Sequence, residues 1–200
     1  MTARGVIDMS DKLIPLVENV ESCRLCEDEL PLGARPVLRV SQSAKILIVG
    51  QAPGTRVHKT GIPWNDPSGV RLRDWMGLAP EQFYDVSRVA IMPMGFCYPG
   101  KGASGDLAPR KECAPLWHQA LFGHMAKLEL VLLVGQYAQR YYLPKQYKNL
   151  TENVQHWQDS LPYWLPLPHP SPRNQIWLKR NDWFDVEVIP YLRERVKAIM

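Results

Sequence analysis

The chain has 200 residues, 46% of them hydrophobic and 22% charged, with a formal net charge of +4. This is one domain's length with enough apolar material to build a core, and its composition is that of an ordinary soluble globular protein. The longest apolar runs, Lys45–Gly50 and Leu128–Gly135, are far too short for a membrane span, and the mild basic excess permits a polyanionic partner without demanding one.

The N-terminal stretch "MTARGVIDMSDKLIPLVENVES" has scattered acids and no unbroken apolar core, so a signal peptide is not expected and a cytoplasmic location is. Cys23-Arg24-Leu25-Cys26 follows. Lys45–Gly50 is a buried strand that runs straight into Gly50-Gln51-Ala52-Pro53-Gly54. A second stiff turn, Gly61-Ile62-Pro63-Trp64-Asn65-Asp66, opens a helix over Ser68–Gly77 with Leu72, Trp75 and Met76 on one side. Arg88–Met94 is the next strand. It leads to Cys97 and Cys113, which bracket the basic, Gly/Pro-rich loop "YPGKGASGDLAPRKE".

The spacing then predicts a helix over Cys113–Lys127 that turns Leu116, Ala120, Leu121 and Met125 inward. A strand over Leu130–Gly135 and helices over Tyr137–Leu143 and Thr151–Leu161 come next. The run "YWLPLPHP" reads as a proline-bearing edge strand, Tyr163–Pro168, followed by His169-Pro170-Ser171-Pro172-Arg173-Asn174. Last comes a helix over Asp182–Ile199 with a stripe of Val186, Ile189, Leu192, Val196 and Ile199. Uninterrupted apolar strands alternating with helices predict a three-layer α/β/α sandwich around a mostly parallel sheet of four strands, in a single domain over 1–200. Ligands of such sheets bind beyond the C-terminal strand ends, where the proline-rich loops fall.

Each motif has two readings. Four cysteines with none left over can give four thiolates to a 4Fe–4S cluster or to zinc, or can be four unrelated buried thiols. Asp66 before Pro67 is the expected helix cap, and a catalytic carboxylate is the sharper alternative. Trp64 can be a stacking platform for a base or a core aromatic. The His169–Asn174 loop suits insertion against nucleic acid, with Ser171 on phosphate, or is a simple proline turn. Gly50–Gly54 has neither a dinucleotide fingerprint nor a P-loop lysine, and no G-x-S-x-G elbow appears.

Together these elements resemble the uracil-DNA glycosylase superfamily, most closely its iron–sulfur branch, families 4 and 5. The resemblance rests on Cys23 and Cys26, the strand with its G-x-x-P-G loop, Cys97 and Cys113, "VLLVGQYA" and "HPSPRN", in that order from about Ser22 to Asn174. It implies a four-stranded parallel sheet, DNA as partner, a base flipped into a pocket at the strand ends, and hydrolysis of the base–sugar bond. It also implies a 4Fe–4S cluster (zinc being the alternative) on Cys23, Cys26, Cys97 and Cys113. Trp64 becomes the stacking wall and His169 the donor to the departing base. Gln51, Ala52, Pro53 and Gly54 line the pocket, and Gln51 and Asp66 complete the catalytic set. Lys101, Ser171, Arg173 and Asn174 are the expected DNA contacts, and a monomer is the default.

Two positions depart from the family pattern. The first loop has Gln51-Ala52 where many members carry an acid or Asn, leaving Asp66 as the matching carboxylate. Pro93 stands where the iron–sulfur enzymes read the uracil edge with Asn, so weaker uracil discrimination or another base is expected. A non-catalytic DNA-damage-binding protein on the same scaffold is the alternative.

Overall fold

The computed structural model describes residues 10–103 and 105–200. The reading of the N-terminus falls partly on residues 1–9, outside the described residues. The elements in chain order are α1 (Ser10–Glu21), β1 (Ile46–Val49), α2 (Thr55–Thr60), α3 (Pro67–Met76), α4 (Pro80–Phe83), β2 (Val89–Ile91), β3 (Lys101–Gly102) and β4 (Gly105–Asp106). These are followed by α5 (Gln119–Gly123), β5 (Leu130–Val134), α6 (Gln136–Tyr142), α7 (Leu150–Gln155), β6 (Trp164–Leu167), α8 (Gln175–Arg180) and α9 (Ile189–Ile199).

Four strands form one parallel sheet in the order β2-β1-β5-β6, and β3 and β4 make a separate small hairpin. The four expected strands are these four. β6 lies at the edge, where Pro166 pairs with Leu133 and costs the ladder little. β1 is central, with Ile48 opposite both Ile91 and Leu132, and every one of its residues is buried.

The period-two alternation of the strands divides the core into two layers. Ile46, Ile48, Leu132 and Leu165 face α3 and α9 through Leu72, Trp75, Leu192 and Val196. Leu47, Val49, Ala90, Val131 and Leu133 face α1, α5 and α6 through Leu13, Val20, Leu121 and Ala138. Helices thus cover both faces of the sheet, the α/β/α sandwich expected. Among the described residues no helix is long and apolar enough to cross a membrane.

Two helical faces differ from the expected stripes, for one physical reason. The chain enters α5 through a wide π turn, Ala114–His118, and enters α9 through another, Phe184–Val188. Each wide turn adds a residue and rotates the face beyond it. Val186 is therefore 72% exposed, and Phe184 and Val188 take its place in the core. Leu116 and Ala120 likewise point outward, while Ala114, His118, Leu121 and Met125 point in. The second π turn has a visible cause. Pro190 has no N–H for the carbonyl four residues back, at Val186, and the wide turn lets the helix continue past it.

His118 is the charged-class side chain this rotation buries. Its Nε2 lies 3.1 Å from the Pro93 carbonyl and its Nδ1 lies 2.5 Å from the Tyr142 hydroxyl. A carbonyl can only accept, so Nε2 carries the proton and Nδ1 accepts from Tyr142. The ring is neutral, and burial lowers its pKa to about 4, with the Pro93 contact opposing.

This gives a stability prediction. Unfolded, the ring titrates near 6.5; folded, near 4. Its contribution is full above 6.5 and is lost as pH falls through the interval, on the order of 3 kcal/mol at the acid end. Denaturant unfolding across that interval should show the loss, and His118→Gln should flatten the pH dependence while being less stable at neutral pH.

Candidate nucleic-acid interface

The C-terminal ends of β1, β2, β5 and β6 open into one cleft of about 520 Å³. The sequence-expected pocket residues Gln51, Ala52, Pro53, Gly54, Trp64 and Asp66 line it, and so do His169, Ser171, Arg173 and Asn174 from the opposite side. Pro93 is also in its wall. Lys101 is not; it stands on β3 beside a shallower neighbouring depression, where its charge still acts on Asp106. The cysteines lie outside the cleft.

The first wall is built by two glycines. A Cβ on Gly50 would lie 2.9 Å from Cζ2 of Trp64, so the indole packs directly on the β1 backbone. A Cβ on Gly69 would lie 1.7 Å from the Trp64 carbonyl oxygen, so α3 can start this close to the turn only with glycine there. Trp64 itself has φ 56°, the left-handed region that costs a non-glycine residue about 1–2 kcal/mol. Arg73 Nη1 holds its carbonyl at 3.3 Å. Strain of this kind persists only where surrounding contacts over-determine the conformation.

Asp66 caps α3: its Oδ1 accepts from the Gly69 N–H at 2.8 Å, with Pro67 in the first helical position. The cap is therefore real, and the same carboxylate lies in the cleft wall. One side chain can serve both ends because a carboxylate has two oxygens.

His169 forms the facing wall, its ring centroid 5.7 Å from that of Trp64. Burial lowers its pKa, and the Asp66 charge pulls the other way, so the imidazole is neutral at neutral pH. Its backbone is held from several sides. Asn174 Nδ2 donates to the His169 carbonyl at 2.7 Å, and Arg71 on α3 donates to the Ser171 carbonyl at 3.1 Å. The Ser171 hydroxyl accepts from the Arg173 N–H at 3.2 Å. Beneath, the buried Gln139 amide donates to the carbonyls of Leu133 and Leu167, joining the ends of β5 and β6.

Sequence reasoning did not single out the polar cleft residues Ser68, Gln136 and Asp106, nor the apolar lining at Val37, Val57 and Ile91. Gln136 had a signal, since it starts the segment after β5. Asp106 had only a general one: its loop follows the C-terminal end of β2, where ligands of such sheets bind, but nothing within the loop marks out the Asp. The β3–β4 hairpin brings it to the cleft mouth. Leu107, next to it, accepts from Gln51 Nε2 at 3.0 Å, so the Gln51 side chain braces the hairpin.

That hairpin grows from the cysteine region. Among the described residues no three His, Cys, Asp or Glu side chains are grouped to hold a single metal ion. The four thiols nonetheless share one electrostatic neighbourhood and form no disulfide. Burial pushes the Cys97 thiol up to about 11, and charge on Cys113, Cys23 or Cys26 would raise it further. Arg110 hydrogen-bonds toward Cys26 and pairs with Glu29 and, at 2.8 Å, with Glu112.

The family model of the uracil DNA glycosylase superfamily matches residues 39–193, well over half of the chain. The chain belongs to the uracil DNA glycosylase superfamily. Members are typically DNA glycosylases, hydrolases of DNA repair, and the match spans every strand of the sheet and both sides of the cleft.

The Gly50–Trp64 contact gives a test that needs no substrate. Gly50→Ala should destabilise the protein by about 1–3 kcal/mol through overpacking. In a Trp64→Ala background the same change should cost much less, a coupling measured by denaturant unfolding of the four proteins.

Proposed function

We propose that the protein is a monofunctional, single-domain DNA glycosylase of the iron–sulfur branch, acting as a monomer on a uracil or another deaminated or damaged base flipped into the cleft. The observation that carries this reading is the convergence of Trp64, Asp66 and His169 on one cavity at the strand ends. A flipped base needs an aromatic face, and Trp64, fixed by Gly50, offers one. The departing base gathers negative charge on an oxygen, and neutral His169 can donate an N–H to it. The sugar becomes cation-like, and the Asp66 oxygen not given to Gly69 can stabilise that charge.

DNA would lie across the mouth of the cleft, with Ser171, Arg173 and Asn174 on the backbone beside the extruded nucleotide and Lys101 farther out. The base edge would meet Pro93, which has no N–H and whose carbonyl already accepts from His118. Nothing at that position distinguishes uracil from a related base, which favours relaxed specificity.

Cys23, Cys26, Cys97 and Cys113 would hold the cluster. Zinc needs four sulfurs about 2.3 Å from one point, whereas a 4Fe–4S cluster spreads its thiolates around a larger body. The four thiols share one electrostatic neighbourhood, as the ligands of one group would. The guanidinium of Arg110 beside Cys26 suits the anionic charge of thiolate ligation. Bound there, the group would tie the N-terminal segment, the loop after β2 and the start of the wide turn before α5 together.

Oligonucleotides bearing uracil, hypoxanthine and other altered bases, single- and double-stranded, test the reading. Base release is expected for at least one, and His169→Ala should slow it roughly 100-fold or more. Salt-sensitive binding with no release from any of them would favour a non-catalytic damage-binding protein instead. Protein purified anaerobically should show visible charge-transfer absorption and bound iron, both lost in Cys97→Ser; bound zinc without colour would reject the cluster.

A further inference from the structure

The first loop of the cleft, Gln51–Gly54, carries no acid, yet a second carboxylate reaches that loop through space. Asp106 and Asp66 are the carboxylates in the cleft wall among the described residues. A Cβ on Gly54 would lie 3.4 Å from Asp106 Oδ2, so the Asp106 side chain lies against the end of the loop. On the other side, a Cβ on Gly105 would lie 2.7 Å from Arg173 Nη1. β4 thus stands between the two loops that line the cleft, Gln51–Gly54 and His169–Asn174. A surface that receives a polyanion gains nothing from an aspartate at its rim, since phosphate and carboxylate repel. Such a residue has its use in chemistry at the sugar rather than in binding the backbone.

We propose that Asp106 is the catalytic carboxylate that orients the attacking water and takes its proton, supplying from the hairpin the acid that Gln51–Gly54 lacks. This rests on the glycosylase reading above. In the step, the bond between C1′ and the base nitrogen breaks and its electron pair leaves with the base. The water oxygen bonds to C1′, and one water proton passes to Asp106 and then to solvent. The released base anion takes up one proton, so sugar hydroxyl and neutral base are the products.

The two carboxylates divide the work by their surroundings. Asp66 has one oxygen fixed at the α3 terminus and is suited to holding charge. Asp106 is at an open rim that DNA would cover, where water can enter with the nucleotide. Burial raises its pKa, which makes it a better proton acceptor; the charge of Arg173 acts against this, that of Asp66 adds to it, and that of Lys101 opposes it. The cysteine-anchored hairpin therefore delivers a reactive group, beyond bracing the fold.

The test is single-turnover base release, on the base the wild type releases best, by Asp106→Asn, Asp106→Ala and Asp66→Asn. Asp106→Asn should cut the rate roughly 100-fold or more with unchanged melting temperature and with DNA binding equal or tighter. Added formate should restore part of the Asp106→Ala rate and none of the Asp66→Asn rate, a rescue that a structural role would not produce. An Asp106→Asn rate within about threefold of wild type overturns this proposal alone and leaves the glycosylase reading standing. No release by the wild type from any base overturns both.

Discussion

The cleft depends on one contact: the Trp64 indole lying on the bare backbone of Gly50. β1 is central and buried on both faces, so Gly50 is a fixed point at the end of a rigid strand. Seating an aromatic ring directly on that point sets one wall of the cleft. It also sets the turn of the chain, because Trp64 must adopt left-handed backbone to reach it. Gly69 then allows α3 to start against the same turn, which brings Asp66 into the wall as the helix cap. His169 is placed from the far side by the end of β6 and faces the ring at 5.7 Å. Any side chain at Gly50 would disturb all of these positions together.

A second constraint works at longer range. Cys97 and Cys113 flank the loop that includes the β3–β4 hairpin, and the hairpin touches both lining loops, through Leu107 to Gln51 and through Gly105 beside Arg173. The cysteine region is thus coupled to the cleft by covalent chain and by one amide–carbonyl hydrogen bond.

Much of the fold was legible because strands buried on both faces leave unbroken apolar runs, and Lys45–Gly50 and Leu130–Gly135 are such runs. Helix faces were less legible where a π turn precedes them: three-and-four spacing placed Val186 and Leu116 inside, and both are outside. Short helices such as α2 and α8 escaped notice because six residues hold no repeat of a stripe. In the cleft, residues flanked by Gly and Pro could be singled out, since those residues fix backbone shape. Asp106 could not. Its place depends on a hairpin of two-residue strands and on partners 52 and 67 positions away at Gly54 and Arg173, which no local pattern encodes. Asp66 shows the opposite limit: its pattern was read correctly as a cap, but a cap pattern does not say which side of the helix end faces a cavity.

The proposed glycosylase needs this cleft to take up a single extruded nucleotide, stacked on Trp64 and within reach of His169. A crystal structure of the protein with a duplex carrying one non-cleavable 2′-fluorinated deoxyuridine tests it directly. The base is expected against the Trp64 ring, with an oxygen of the base within hydrogen-bond reach of His169 and C1′ facing the carboxylates of Asp66 and Asp106. A base left stacked in the duplex with the cleft holding only solvent, or DNA bound on another face, would contradict it.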